Sequence, residues 1–321
     1  MMEISGDDRV ALGATGIKIP PMGIGAWAWG DRWIWGYGRG DYSDRDLREA
    51  YEVALQGGLD FFDTAEMYGL GQSEKLLGQF MSETGTRPTI ATKFVPFPWR
   101  LTRSSLPRAL KSSLNRLGLD KVDLYQIHLP LPPVPVETWA HALADAVEAG
   151  LARAVGASNY SAQQMGRTHA TLAERDVVLA SNQVHYSLLH REPEHNGVLQ
   201  LCRDLNVTLI AYSPLEMGIL TGKYTPDNPP RQIRRWRYPP DYLREVQPLV
   251  QRIREIGEAH GGKTSAQVAL NWTLCKGTVP IPGAKNARHV RSNAGAVGWR
   301  LTEDEVTELD AVSDEVTRHT R

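Results

Sequence analysis

The sequence predicts an α/β chain folded as a single (β/α)8 TIM barrel over residues 1–321, with an N-terminal β-hairpin plug and extra C-terminal helices. Three observations lead there. Short apolar runs near residues 59, 89, 122, 152, 178 and 207 recur roughly every 30 residues, with a helical pattern in each gap, as βαβ units of a parallel sheet require. Strand candidates near 22 and 277 flank that series and complete the set a closed barrel needs. No G-x-G-x-x-G follows the first barrel strand, which disfavours an open doubly wound sheet.

Taken in order, residues 10–20 form two apolar pieces about a Gly-containing turn and read as the hairpin, with 22–25 as the first barrel strand. The next loop carries Trp27, Trp29, Trp33 and Trp35. It is either an aromatic wall over a substrate pocket or a loop packed on its own side chains, and the two readings are compatible. Ser43 and Asp44 cap a helix whose apolar positions Leu47, Ala50, Tyr51, Ala54 and Leu55 share one face and which Gly57-Gly58 ends. The eighth strand, 277–281, comes late. A Pro/Arg-rich loop over 225–240 and helices over about 241–260 and 264–275 intervene, and a last amphipathic helix spans about 302–317.

Composition excludes several classes. With 41% hydrophobic and 23% charged residues the chain is an ordinary globular protein, and a net charge of -1 gives it no pull toward nucleic acid or anionic membranes. Only Cys202 and Cys275 occur, both in predicted helices, which suggests buried thiols in a reducing compartment rather than a disulfide framework. The polar start and the lack of a long apolar run predict a soluble cytoplasmic protein. His185, His190 and His195 recur at a spacing that does not stack on a helix face, so no metal site is implied and surface or loop positions are expected.

The chemistry sits at strand ends. The run 59–62 leads to Asp63 and, in the following loop, Tyr68; 89–92 leads to Lys93; 122–127 leads to His128. In a parallel barrel these ends share one face, where active sites gather. A phenol is a poor acid, with a pKa of ~10, but an ammonium within about 4–6 Å lowers it. Asp63 would hold that ammonium, and His128 would donate to a carbonyl oxygen. The result is an electrophile clamp with no nucleophile of its own, and hydride is the attacker it lacks.

Asp63-Thr64-Ala65-x-x-Tyr68-Gly69, Thr92-Lys93 and Gln126-Ile127-His128 together resemble the signature of the aldo-keto reductases, NADP(H)-dependent oxidoreductases on a (β/α)8 barrel. The longer-loop members, on the side of potassium-channel β subunits and pyridoxal reductase, are the most similar. The resemblance implies Tyr68 as proton donor, Asp63 and Lys93 as its tuning pair, and His128 as the residue that positions substrate. It further implies a cofactor seat. Ala26, Trp27 and Asp63 would contact the cofactor; Ser158, Asn159 and Gln183 would hold the nicotinamide carboxamide; Tyr212 would stack on the nicotinamide ring. Ser213, Pro214, Leu215, Gly218 and Lys223 would form a belt over the pyrophosphate, continued by Arg234 and Arg235. Gly283, Lys285, His289 and Asn293 would take the adenosine end, with Lys285 on the 2′-phosphate. Ser292 replaces a Glu common in the family.

The expected activity is NADPH-dependent reduction of a small aldehyde or ketone to an alcohol, by a monomer or homo-oligomer without nucleic-acid or membrane partners. Trp27, Trp29, Trp33 and Trp99 are the expected pocket walls, suiting pyridoxal-like or simple aromatic aldehydes. Two alternatives stand beside it: an NADP(H)-sensing binding subunit with weak catalysis, and a Lys93 Schiff-base aldolase or isomerase.

Overall fold

The structure, a computed structural model, describes residues 8–40, 42–230 and 233–319. A hairpin of β1 (Val10–Ala11) and β2 (Lys18–Ile19) precedes eight parallel strands: β3 (Ile24–Gly25), β4 (Phe61–Asp63), β5 (Thr89–Phe94), β6 (Val122–Ile127), β7 (Ala152–Ser158), β8 (Leu179–His185), β9 (Thr208–Tyr212) and β10 (Val279–Pro280). Each strand pairs with its neighbour in sequence, in the order β3 to β10. A parallel bridge between Gly25 and Gly283, with Gly23 N donating to Pro280 O at 3.0 Å, joins the first strand to the last and closes the ring.

Glycine makes that seam possible. A Cβ on Gly25 would lie 2.7 Å from the carbonyl oxygen of Ile281, closer than any side chain tolerates. The first and last strands are accordingly shorter than the predicted 22–25 and 277–281. The hairpin plugs one end of the barrel: Leu12, Ile17 and Ile19 are buried against Phe61, Ala91, Leu124, Ala154, Ala180, Ile210 and Val279, one apolar residue from nearly every strand.

The helices form the outer layer, and their ends follow local chemistry. Asp44–Gln56 starts at a capping box in which Ser43 and Asp46 satisfy each other's backbone donors, and it buries Leu47, Ala50, Tyr51 and Ala54. Thr264 caps Ser265–Cys275 in the same way. Residues 225–240, expected to be loop throughout, contain the short helix Ile233–Arg237, and Pro240 opens the long helix Pro240–Ala259 at the one position where its missing N–H costs nothing. The last helix is Glu303–His319. No helix among the described residues is long and apolar enough to cross a membrane.

Candidate active site

Three adjacent strands bring the four predicted residues together. Asp63 is the last residue of β4, Lys93 the penultimate residue of β5, and His128 follows the end of β6. Tyr68 begins a tight turn, Tyr68–Gly71, where Gly69 takes φ 57° and a Cβ would strike the Gly30 carbonyl at 2.6 Å. The turn carries the phenol back over the strand ends. Lys93 Nζ donates to Asp63 Oδ2 at 2.5 Å, to the Thr64 carbonyl at 2.9 Å and to Tyr68 Oη at 3.2 Å. All three ammonium protons are then used. The His128 ring meets the Tyr68 ring edge-on with centroids 5.6 Å apart.

The electrostatics correct one expectation. Lys93 stands beside Tyr68 as predicted, yet the phenol is not made acidic. Burial raises its pKa above the ordinary value, and the pull of Lys93 does not overcome it. Tyr68 is a protonated phenol at neutral pH. Burial also works to neutralise Lys93, but Asp63 and then Tyr68 hold its pKa above the ordinary lysine value, so it is an ammonium. His128 is pushed down to about 3 by burial, with Lys93 adding to the effect, and is a neutral imidazole.

Two supports were not read from the sequence. Asp63 Oδ1 accepts from Gln183 Nε2 at 2.7 Å and from Gln126 Nε2 at 3.4 Å, and Ser181 Oγ donates to Gln126 Oε1 at 3.2 Å. Lys93 and Gln126 are register partners, and Gly156 separates Gln126 from Ser181, so a polar layer crosses the barrel. The available signal was a glutamine in the otherwise apolar end of β6. Gln183, expected at a carboxamide, thus spends one N–H of its Nε2 on Asp63.

The four expected pocket tryptophans separate. Trp27 faces Tyr68, ring centroids 6.4 Å apart, and is backed edge-on by Trp35 at 5.6 Å. Trp29 is no pocket wall: it is fully buried, donates to the Ala284 carbonyl at 2.8 Å and packs on Phe62 and Phe80. Trp33 lies exposed beneath Arg39, and Trp99 lies exposed and stacked on Phe97. Neither has a ring contact with Tyr68. Position along a loop could not separate these environments, which depend on where each ring turns.

The neighbouring strand ends form a polar and aromatic cleft. Asn159 Nδ2 donates to Ser158 Oγ and to the His128 carbonyl, each at 3.1 Å, and its Oδ1 accepts from Tyr212 Oη at 3.0 Å. Beyond β9 the run Ser213, Pro214, Leu215 and Gly218 bends back on itself, with Lys223 Nζ 3.1 Å from a Cβ placed on Gly218. Asn286 caps the helix Ala287–Ala294 by accepting from His289 N. Burial lowers the His289 pKa, and Arg288, Lys223 and Lys285 lower it further, so three cations converge on this helix start. A helix N-terminus among cations suits a phosphate. Asn293, in the last turn of the same helix, is buried and its Nδ2 has no partner among the described residues. Lys285 departs from expectation in part: its Nζ donates to the Trp35 carbonyl at 3.0 Å and lies over the Trp35 and Tyr42 rings. Arg234 covers the Trp35 ring and donates to Tyr224 Oη, whereas Arg235 is exposed. The donors, the open Gly283 backbone and the cation cluster fit a phosphorylated dinucleotide.

Comparison with known proteins agrees with this geometry. Residues 21–314 match the Aldo/keto reductase family. The chain belongs to that family. The oxidoreductase is 42% identical over 313 residues to the chloroplastic pyridoxal reductase of Arabidopsis thaliana, covering 93% of this chain and 84% of that protein. Among solved structures, a thermostable aldo-keto reductase in complex with the inhibitor epalrestat superposes with a TM-score of 0.77 at 32% identity, covering 95% of this chain and 99% of the other. An aldo-keto reductase from Klebsiella pneumoniae in complex with NADPH gives a TM-score of 0.74 at 27% identity, covering 95% of each chain. Aldo-keto reductases act on small carbonyl compounds with a nicotinamide cofactor.

Proposed function

We propose that this aldo-keto reductase reduces an aldehyde or ketone to an alcohol with NADPH, and that Tyr68 is the proton donor. The observation that carries the reading is the Lys93 ammonium 3.2 Å from Tyr68 Oη, with His128 against the same ring. When bound, the nicotinamide supplies hydride to the carbonyl carbon. Tyr68, protonated at neutral pH, gives its proton to the carbonyl oxygen as negative charge grows there. Lys93 stabilises the phenolate left behind, and Asp63 keeps the ammonium in place. Neutral His128 donates to the same oxygen and fixes the carbonyl's orientation.

Ser158, Asn159, Gln183 and Tyr212 would hold the nicotinamide end, and Lys223, Lys285, His289 and Asn293 the phosphorylated adenosine end. Lys223 and Lys285 support NADPH over NADH. Trp27 beside Tyr68 supports a planar substrate, and an aromatic aldehyde of the pyridoxal kind is the class the relative at 42% identity favours.

Lys93 is fully buried, bonded to three acceptors and held as an ammonium, which leaves no lone pair for a Schiff base. The retained His128 favours catalysis over a purely sensing role. The direct test is NADPH oxidation against an aldehyde panel, pyridoxal included, with NADH in parallel. Tyr68→Phe should lower turnover by roughly 10²–10⁴-fold while NADPH binding stays near that of the wild type. Full turnover in that variant would remove Tyr68 from its role.

A further inference from the structure

The belt that follows β9 has an unusual backbone. Ser213, Glu216 and Met217 all take left-handed φ values, 50°, 46° and 50°, and Gly218 takes 97°. For an L residue that conformation is unfavourable, and it persists only where surrounding contacts impose it. Three of them within five residues need an anchor.

Glu216 has the contacts to be one. It is only 4% exposed, at the start of the 3-10 turn Glu216–Thr221. Its Oε2 bonds His185 Nε2 at 2.6 Å, and its Oε1 accepts from Tyr238 Oη at 2.7 Å, with Arg237 at 3.5 Å. Burial alone would raise the carboxyl's pKa, but the His185 and Tyr238 bonds and the nearby Arg237 keep it below the ordinary value, so the group is a carboxylate. Its partners lie on different elements. His185 ends β8 and stacks face to face on Tyr212 at 5.3 Å and 14°, with His190 stacked beyond it at 4.0 Å and 11°. Tyr238 is buried between the short helix Ile233–Arg237 and the long helix Pro240–Ala259.

We propose that Glu216 is a positioning residue that fastens the belt at both ends, holding its first turn to Tyr238 and, through His185, bracing the face of Tyr212. Tyr212 is then fixed twice, by Asn159 at its hydroxyl and by His185 on its ring. The belt's backbone is held in the shape that closes over the dinucleotide, and the fastening governs how long the cofactor stays. The inference rests on the nicotinamide reading above. His185 accordingly differs from the surface or loop histidine that its spacing suggested: it is a strand residue with a carboxylate partner.

The test is NADPH binding and release, followed by stopped-flow fluorescence with the full chain. Glu216→Ala should raise the NADPH dissociation rate and Kd by about tenfold or more, as loss of a charge-assisted hydrogen bond implies. The KM for NADPH should rise with them, and the KM for the aldehyde should not follow. Glu216→Gln, which can still bond both partners, should recover most of the loss. Tyr238→Phe removes one fastening from the other side and should speed release even if the alanine variant fails to fold. If these variants melt earlier yet release NADPH at the wild-type rate, the fastening role is overturned. A wild-type protein that binds no NADPH overturns the nicotinamide reading itself, and this proposal with it.

Discussion

At the scale of the residue, the site works by setting protonation states apart. Lys93 is kept charged by Asp63, His128 is kept neutral by burial and by Lys93, and Tyr68 keeps its proton because burial outweighs the ammonium. Neutral His128 carries a consequence for stability. Its folded pKa of about 3 lies below the ordinary imidazole value of 6.5, so between those values the unfolded chain takes up a proton that the folded chain does not. Stability is therefore complete above that window and lost as pH falls through it, by at most about 1.4 kcal/mol per pH unit from this group. Urea unfolding at pH 7, 5.5 and 4.5 should show the wild type losing more stability than His128→Gln over that range. Equal losses would mean that His128 is protonated normally.

At the scale of the element, each strand end contributes one or two groups, and the loops bring them within reach. The seam between β3 and β10 depends on Gly25, where a Cβ meets backbone that cannot move aside. Gly25→Ala should cost about 1–3 kcal/mol in chemical unfolding, as overpacking does; a variant of unchanged stability would show that the seam has slack. In the proposed binding mode the helix Ala287–Ala294 would carry the adenosine end of the cofactor. Lys285→Ala should weaken NADPH binding by about tenfold, the scale of one charge-assisted bond, while NADH binding barely changes. Equal effects on the two cofactors would assign the 2′-phosphate contact elsewhere, with Lys223 or Arg288 next in line. Because Lys285 also bonds the Trp35 carbonyl, the same variant should loosen the loop behind Trp27.

At the scale of the molecule, a hairpin fills one mouth of the barrel and the reactive groups line the other. Every strand shares the core beneath them, so we expect thermal unfolding to be one cooperative transition. NADPH at a hundredfold excess over its Kd should stabilise the fold by about 2.7 kcal/mol and raise the melting temperature, with NADH giving less. Two separated transitions, only one of them moved by NADPH, would divide the chain into independent units.

Much of this was legible in the residues. The repeat of strand and helix follows from apolar periodicity, and Asp63, Lys93 and His128 announce themselves because polar residues closing apolar strands must face a site or be satisfied within one. The capping boxes at Ser43 and Thr264 are equally local. The rest depends on contacts between residues far apart in the chain. Gln183 bonds Asp63 and Glu216 bonds His185, pairings with no mark in local sequence. Trp29 and Trp27 are two residues apart, yet one faces the core and the other the cleft. The Tyr68 pKa is decided the same way. The sequence alone puts a phenol near an ammonium, and only the packing determines that the loss of water around that phenol outweighs the charge beside it.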